Sequence, residues 1–479
     1  MRKFSKTNLS LDFKEDNLID LCELVTDGSH HSPPSQVEGY YMASVKDMGA
    51  YKFIYSDCRK ISEEDYDKLV KSGCSPKNED ILIAKDGSPL SNIFIYQEEY
   101  PMVLLSSIAI IRANKNKILP EFLKYYLENP SIKKYIQTTY TSGSVIPRII
   151  LKDFKKFPIN YPDIANQKKI IGVLKSIDEK IAINEEINKN LTKLIDTNFK
   201  NYLLNFENYS EDDLVSSEFG PIPKEWEVNN LTGIANYQNG LAMQKFPPET
   251  PEDSFKVLKI KELRQGFFDE SSDLCSKNIK EECIVYDGDV IFSWSGSLLV
   301  DIWTGGTCGL NQHLFKVTSS NFDKWFYYCW TKFYLDQFIL IAKDKATTMG
   351  HIKRQHLEES LVLIPDEETY NNLTNLFKPL FEYLTKNKIE IKKLQSLRDT
   401  LLPKLMSGKI DVSKINCDLK IIIIKFILNP LKYLWRYLNE NKDYIQNTKS
   451  NETLLKSRPI YKINKFFTKF TSRYRNYRQ

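Results

Sequence analysis

The stretches 79-EDILIAKDGS-88 and 288-GDVIFSWSGS-297 align without a gap, 209 residues apart. Each reads as a short apolar strand that ends in a polar Gly-Ser turn. Working outward, the same features recur in the same order. 120-PEFLKYYL-127 stands against 323-DKWFYYCW-330 at an offset of 203, both with the look of a short, aromatic-rich amphipathic helix. 143-GSVIPRIIL-151 then stands against 349-MGHIKRQHL-357 at an offset of 206, matching Ile146, Arg148 and Leu151 with Ile352, Arg354 and Leu357. The offsets drift only as loop insertions would make them drift, so the sequence predicts a duplicated module.

Each half ends in a long helix. From Asn166 to about Leu204 the apolar positions are Ile170, Leu174, Ile177, Ile181, Leu191 and Ile195. From Asn371 to Met406 they are Leu373, Phe377, Leu380, Leu384, Ile391, Leu394, Leu401 and Leu405. Spacing by three and four makes a coiled-coil seam, and Lys, Glu, Asn and Asp fill most other positions. A stripe of ~35 residues spans ~50 Å, too long to lie on one domain of ~150 residues. The two helices are therefore expected to pack on each other. Their stripes break at Asn184 and Asn387, again 203 residues apart. Such asparagines would meet near mid-helix in an antiparallel pair and fix its register. The alternative is that both face solvent where the stripe drifts.

The expected fold is α+β: two tandem α/β domains, each followed by a long helix, the helices pairing as an antiparallel coiled coil. The boundaries read as domain 1 at 1–162, helix at 163–206, linker at 207–223, domain 2 at 224–365, helix at 366–412 and a basic helical extension at 413–479. The linker is acidic at 211-EDD-213 and closed by 220-GPIP-223.

The chain has 479 residues, 42% hydrophobic and 12% aromatic, enough to fill real cores and exclude wholesale disorder. Net charge is only +5, but the extension from Ser413 carries 15 basic and 4 acidic residues, or +11, leaving −6 for the body. The extension interleaves bases and aromatics in 464-NKFFTKFTSRYRNYR-478, which suits a nucleic acid, an acidic membrane surface or a partner's flank alike. The run 421-IIIIKFIL-428 is too short to span a bilayer, so no membrane-spanning segment is expected. None of the eight cysteines forms a CxxC pair, and the N-terminus does not read as a signal peptide. Reduced thiols in a cytoplasmic protein are expected.

Catalytic equipment is missing from the pattern. There is no Gly-rich phosphate loop, since 406-MSGKI-410 lacks the upstream Gly and the Ser/Thr. No Asn-Pro-Pro-aromatic tetrapeptide is present. Asp163 with Asp178-Glu179-Lys180 meets a loose nuclease spacing, but Asp178 to Lys180 lies inside the first long helix and reads as a solvated helix face. The five histidines follow no ligand spacing, so no metal site and no cofactor of the chain's own is expected.

What the chain does offer is side chains suited to base edges: Asn and Gln for adenine, Arg and Lys for guanine, with adaptable Ser, Thr and His. In the first half the candidates are Ser29, His30, His31, Lys85, Ser88, Ser142, Ser144 and Arg148. In the second they are Gln238, Asn239, Gln244, Lys245, Trp294 and Ser297, then Asn311, Gln312, His313, Lys353 and Arg354. Most clusters fall at matching places in the two repeats. Lys and Arg among them would also hold phosphates and set register.

From about Asn17 to Val412 the sequence resembles the type I restriction–modification specificity subunits. The resemblance rests on 21-LCELVTDGSHHSPP-34, 166-NQKKIIGVLKSIDEKI-181, 221-PIPKEWEV-228 with 231-LTGIANYQNG-240, 309-GLNQHLFKV-317 and 397-LRDTLLPKLMSGKI-410, besides the 288–297 stretch. It implies two target-recognition domains, each reading half of a split double-stranded DNA site, with the helical pair as the ruler between them. It implies no catalysis by this chain. Two modification subunits would bring S-adenosylmethionine and methylate adenine, and restriction subunits would bring ATP- and Mg-dependent translocation and cleavage. The extension from 413 has no counterpart in that pattern. Two other classes stay open: a nuclease or methyltransferase relative with an unrecognised site, and a structural adaptor whose domains bind protein. Mg-dependent cutting lost on changing Asp163 or Asp178 would mark the first. Binding to duplex DNA with strong salt dependence would argue against the second.

Overall fold

A computed structural model of the chain describes residues 12–142, 146–206, 209–344 and 350–412. The basic extension at 413–479 lies outside the described residues, as does Ser144. The described residues fall into two compact units. One comprises 12–180 with 395–412, the other 181–394. Each holds one α/β domain with the opening part of the long helix that follows it and the closing part of the other long helix.

In the first unit the strands Cys22–Asp27, Ile108–Ala113, Ile81–Ala84 and Ile93–Ile95 lie side by side in that order, all antiparallel. Ile81 to Ala84 is apolar at every position because both faces of this strand are covered. Ile81 and Ile83 join a core with Phe122, Leu123 and Leu127 of the helix Pro120–Glu128, whereas Leu82 and Ala84 join another with Ala43, Met102 and Leu104. That is the two-residue alternation of a strand between two layers. The second layer is the sheet Lys60–Ile61, Tyr40–Ala43, Met102–Leu104, and a two-stranded ribbon joins Lys14–Asn17 to Pro158–Tyr161.

The second unit repeats this strand order. Asn236–Asn239, Leu314–Thr318, Val290–Ser293 and Leu299–Ile302 form its first sheet. Leu274–Ser276, Ser254–Leu258, Cys308–Leu310 and Ile284–Val285 form its second, and Glu227–Asn230 pairs with Leu361–Ile364. Registers match as well: Ile81 faces Ile111 in one domain, Val290 faces Val317 in the other. A Cβ on Gly28 would stand 2.2 Å from the Leu104 carbonyl oxygen, and a Cβ on Gly240 2.2 Å from that of Leu310. Both domains therefore use glycine where two backbone segments touch.

The long helices span Ile164–Leu203 and Glu367–Met406, 40 residues each, or about 60 Å. Their bounds differ by 203 residues at both ends. Among the expected seam residues Ile170, Leu174, Ile177, Ile181, Leu191, Phe377, Leu380, Leu384 and Ile391 are buried. Ile170 and Leu174 share a core with Leu402, Leu405 and Met406. Arg398 Nη1 lies 3.3 Å from Asp178 Oδ1, and Asn184 donates to Glu390 Oε2 at 2.9 Å. Facing numbers rise on one helix as they fall on the other, so the helices run antiparallel.

Two expectations need correction. Asn184 and Asn387 are both buried, not solvated, but they do not pair, because facing numbers sum to about 575 and place Glu390 opposite Asn184. Asp178 is no solvated face: its Oδ2 accepts from Tyr125 Oη at 2.7 Å while Arg398 flanks Oδ1. Within the linker, Leu214–Ser217 and Gly220–Pro223 form an antiparallel hairpin. Among the described residues no helix is long and apolar enough to cross a membrane. Six of the described cysteines are buried free thiols, and Cys22 is half-buried.

Candidate nucleic-acid interface

In domain 1 the turn after Ile81–Ala84 meets the segment around Arg148. Gly87 N donates to Pro147 O at 2.9 Å, Ile149 N to Lys85 O at 3.0 Å, and Asp86 bridges Arg148 along the backbone. The segment after Cys22–Asp27 joins them, with Ser29 N donating to Leu104 O and Ser106 N to Ser29 O. Three stretches far apart in sequence thus converge on one edge of the first sheet.

Within that edge the candidates divide. Lys85 is buried, with Nζ 2.5 Å from Asp27 Oδ2, so it holds the loop and is not free to reach a base. Ser29 is buried too, its hydroxyl donating to His31 O and accepting from His31 N. These two are corrections: a lysine and a serine after a strand look alike in sequence whether they face in or out. His30, His31, Ser88 and Arg148 are exposed, and Ser142 is half-buried with its amide on Arg148 O. His30 Nε2 lies 3.4 Å from Asp27 Oδ2, and Arg148 Nε 3.0 Å from Asp86 Oδ1.

Domain 2 builds the same edge. Gly296 N donates to Gly350 O at 2.8 Å and Ile352 N to Trp294 O at 3.1 Å, while Ser295 bridges His351. Leu241 N donates to Leu310 O and Gln312 N to Leu241 O, drawing in the Gln238–Leu241 segment. His313 is the hub: its Nδ1 meets Ser295 Oγ at 3.1 Å, its Nε2 lies 3.3 Å from Gln312 Nε2, and its amide donates to Asn311 Oδ1. Trp294 packs against the rings of both His313 and His351. Asn311 is buried; Gln312, His313, Trp294, Gln238 and Ser297 are half-buried. Asn239, Gln244, Lys245, Lys353 and Arg354 are exposed.

The shared backbone bonds correct the repeat alignment. Ile149 occupies the place of Ile352, so this segment matches at 203, not 206, and Arg148 corresponds to His351 rather than Arg354. Sequence reading passed over Asp27, Asp86, Ser295 and His351. The signal that finds them is the constant 203 shared with the aromatic helices and the long helices.

A family model for the type I restriction modification DNA specificity domain matches residues 15–193. The chain is 27% identical over 407 residues to the type I restriction enzyme MjaIX specificity subunit of Methanocaldococcus jannaschii, covering 80% of this chain and 91% of that one. In sequence and fold the chain is similar to the type I restriction–modification specificity subunits. A second relative, the HindI specificity subunit of Haemophilus influenzae, is 19% identical across 66% of this chain and 83% of its own. The crystal structure of the type I system S subunit from M. genitalium shares the fold, with a TM-score of 0.52 at 15% identity over 84% of this chain and 98% of that one. Specificity subunits are the DNA-recognition, non-catalytic component of the type I enzyme, and they work within complexes with DNA and other subunits.

Proposed function

We propose that this specificity subunit reads a bipartite duplex site, one half with each polar edge, and that the paired helices set the number of unread base pairs between the halves. The observation that carries the reading is the duplicated backbone frame, which presents different side chains at equivalent places in the two domains. A protein that reads two different short sequences needs a constant scaffold and variable loop tips, as found here. In domain 1 the exposed candidates are His30, His31, Ser88 and Arg148; in domain 2 they are Asn239, Lys353 and Arg354, with Gln244 and Lys245 on the adjoining turn and half-buried Gln312 and His313 beside them.

Two modification subunits, bringing S-adenosylmethionine, would methylate adenine at the site, and restriction subunits would supply ATP- and Mg-dependent translocation and cleavage. Carboxylates that could have served catalysis in this chain are engaged structurally, as Asp178 is by Tyr125 and Arg398. The test is to map adenine methylation in the host genome and replace residues 17–160 with the corresponding segment of another specificity subunit. Half of the methylated motif should change and the other half persist. An unchanged motif after the exchange would refute the assignment.

A further inference from the structure

We propose that Arg148, its guanidinium paired with Asp86, is the guanine-reading residue of domain 1, and that domain 2 reads its half-site with a serine–histidine set at the matching place. The proposal rests on the specificity reading above and names the base class that one edge recognises. Its ground is the residue-by-residue equivalence of the two edges: Asp86 with Arg148 in one, Ser295 with His351 in the other.

Three observations single out Arg148. Its side chain is 53% exposed while that of Asp86 is 13% exposed, so the pair sits at the surface with the base-reading end outward-accessible and the carboxylate beneath. Nε lies 3.0 Å from Asp86 Oδ1 as an ion pair without hydrogen-bond geometry, and the two terminal amino groups have no hydrogen-bond partner among the described residues. Those two groups are the fork that matches guanine O6 and N7. An ion pair at such a surface contributes little to stability, so holding the loop is a weak reason for it to exist. Fixing the fork in advance does serve recognition, because less side-chain freedom is lost on binding.

Charge balance separates base from phosphate. A phosphate contact is favoured by unopposed positive charge, because its affinity comes from counterion release. Here both cations of the edge are matched: the buried Lys85 by Asp27, Arg148 by Asp86. A neutralised arginine is a poor phosphate anchor and a good directional donor. In domain 2 the equivalent ring of His351 packs against Trp294, and Ser295, His313 and Gln312 form a chain of polar contacts with no carboxylate among them.

The experiment uses the complete complex with its modification subunits and a duplex carrying its mapped site. The half assigned to domain 1 by segment exchange should contain a guanine in one strand. Replacing that guanine with 7-deazaguanine, which lacks the N7 acceptor, should weaken binding roughly 5- to 150-fold. Arg148→Ala should abolish that difference, Arg148→Lys should retain part of it, and Asp86→Asn should shrink it. The domain 2 half-site must stay unchanged in all three, which also reports that the complex is folded. The idea is overturned by a domain 1 half-site without guanine, or by a 7-deazaguanine effect that survives in Arg148→Ala. It is equally overturned if Arg148→Ala weakens binding to every duplex alike and lowers the salt slope by about one, as loss of a phosphate contact would. A wild-type complex with no sequence preference at all would remove the specificity reading itself, and this proposal with it.

Discussion

Asn184 donates its side-chain amide to the Glu390 carboxylate at 2.9 Å, across the two long helices and where both apolar stripes are interrupted. The other side of Asn184, its Oδ1, has no partner among the described residues, and neither has Asn387 Nδ2. The two asparagines are equivalent in sequence and unequal in energy. Asn184→Ala removes a hydrogen bond to a charged group, at a cost of roughly 1.5–3 kcal/mol. Asn387→Leu removes a buried donor that bonds nothing, so stability should hold or rise. Thermal melts of the two variants should move apart, with Asn184→Ala lower by several degrees. Equal shifts would contradict the pairing.

Lys85 provides a second test, because it looks like a DNA contact and is a buried ion-pair partner. Lys85→Met leaves the Asp27 carboxylate without its cation, at a cost of about 3–5 kcal/mol. The double change Lys85→Met with Asp27→Leu should recover most of that loss, since apolar replacement of a whole pair is often neutral. Urea unfolding of the three variants checks the order. A single variant as stable as the parent, bound more weakly to DNA, would return Lys85 to the interface.

Much of this molecule was legible before its structure. The two helices follow from their stripes to within a few residues, and the duplication from the 79–88 and 288–297 stretches, because apolar periodicity is a local property. The edges were legible only as groups of loops. Burial of Ser29 and Lys85 depends on Leu104 and Asp27, which contact them from other strands, and no local pattern carries that. The pairing of Asn184 likewise needs the helix register, which is set by contacts such as Arg398 with Asp178. Asp86 and Ser295 escaped notice because their partners, Arg148 and His351, lie about 60 residues on, and a three-residue slip in the repeat alignment concealed the match.

Gly28 and Gly240 predict a paired effect. Alanine at either site drives a Cβ into a backbone carbonyl at 2.2 Å, which backbone cannot yield cheaply. Overpacking of this kind costs on the order of 1–3 kcal/mol or displaces the segment. Gly28→Ala should therefore degrade reading of the domain 1 half-site and spare the other, and Gly240→Ala should do the reverse. Methylation mapping in cells carrying each variant gives the answer directly. Loss of both halves from either change would show that the edges are not independent.

Buried thiols give the pH prediction. Burial pushes Cys275 up to about 11, and Cys22 and Cys58 up to about 12, from an ordinary value near 9. The folded protein then holds protons that the unfolded chain releases. The stability this provides is complete below about pH 9 and is lost as pH rises toward 11–12. Denaturant midpoints should be flat from pH 7 to 8.5 and decline above 9. Alkylation of Cys275 at pH 8 should be slow in the native protein and fast after unfolding. Rapid native labelling at Cys275 would contradict its burial.

The last prediction concerns length. Each long helix is continuous over 40 residues, so four residues added to both lengthen the pair by about 6 Å, close to two base-pair steps. Four residues are also about one helical turn, an insertion that coiled coils accommodate by local unwinding. Placed after Asn184 and after Asn387, they leave Asp178 with Arg398 on one side intact, and Lys332 with Asp196 on the other. The mapped motif should then keep both half-sites and gain about two unread base pairs. The same insertion in one helix alone mismatches every facing pair beyond it and should destabilise the chain instead of changing the gap. A changed half-site in the doubly extended variant would mean that the helices shape the reading edges, and that something else measures the distance.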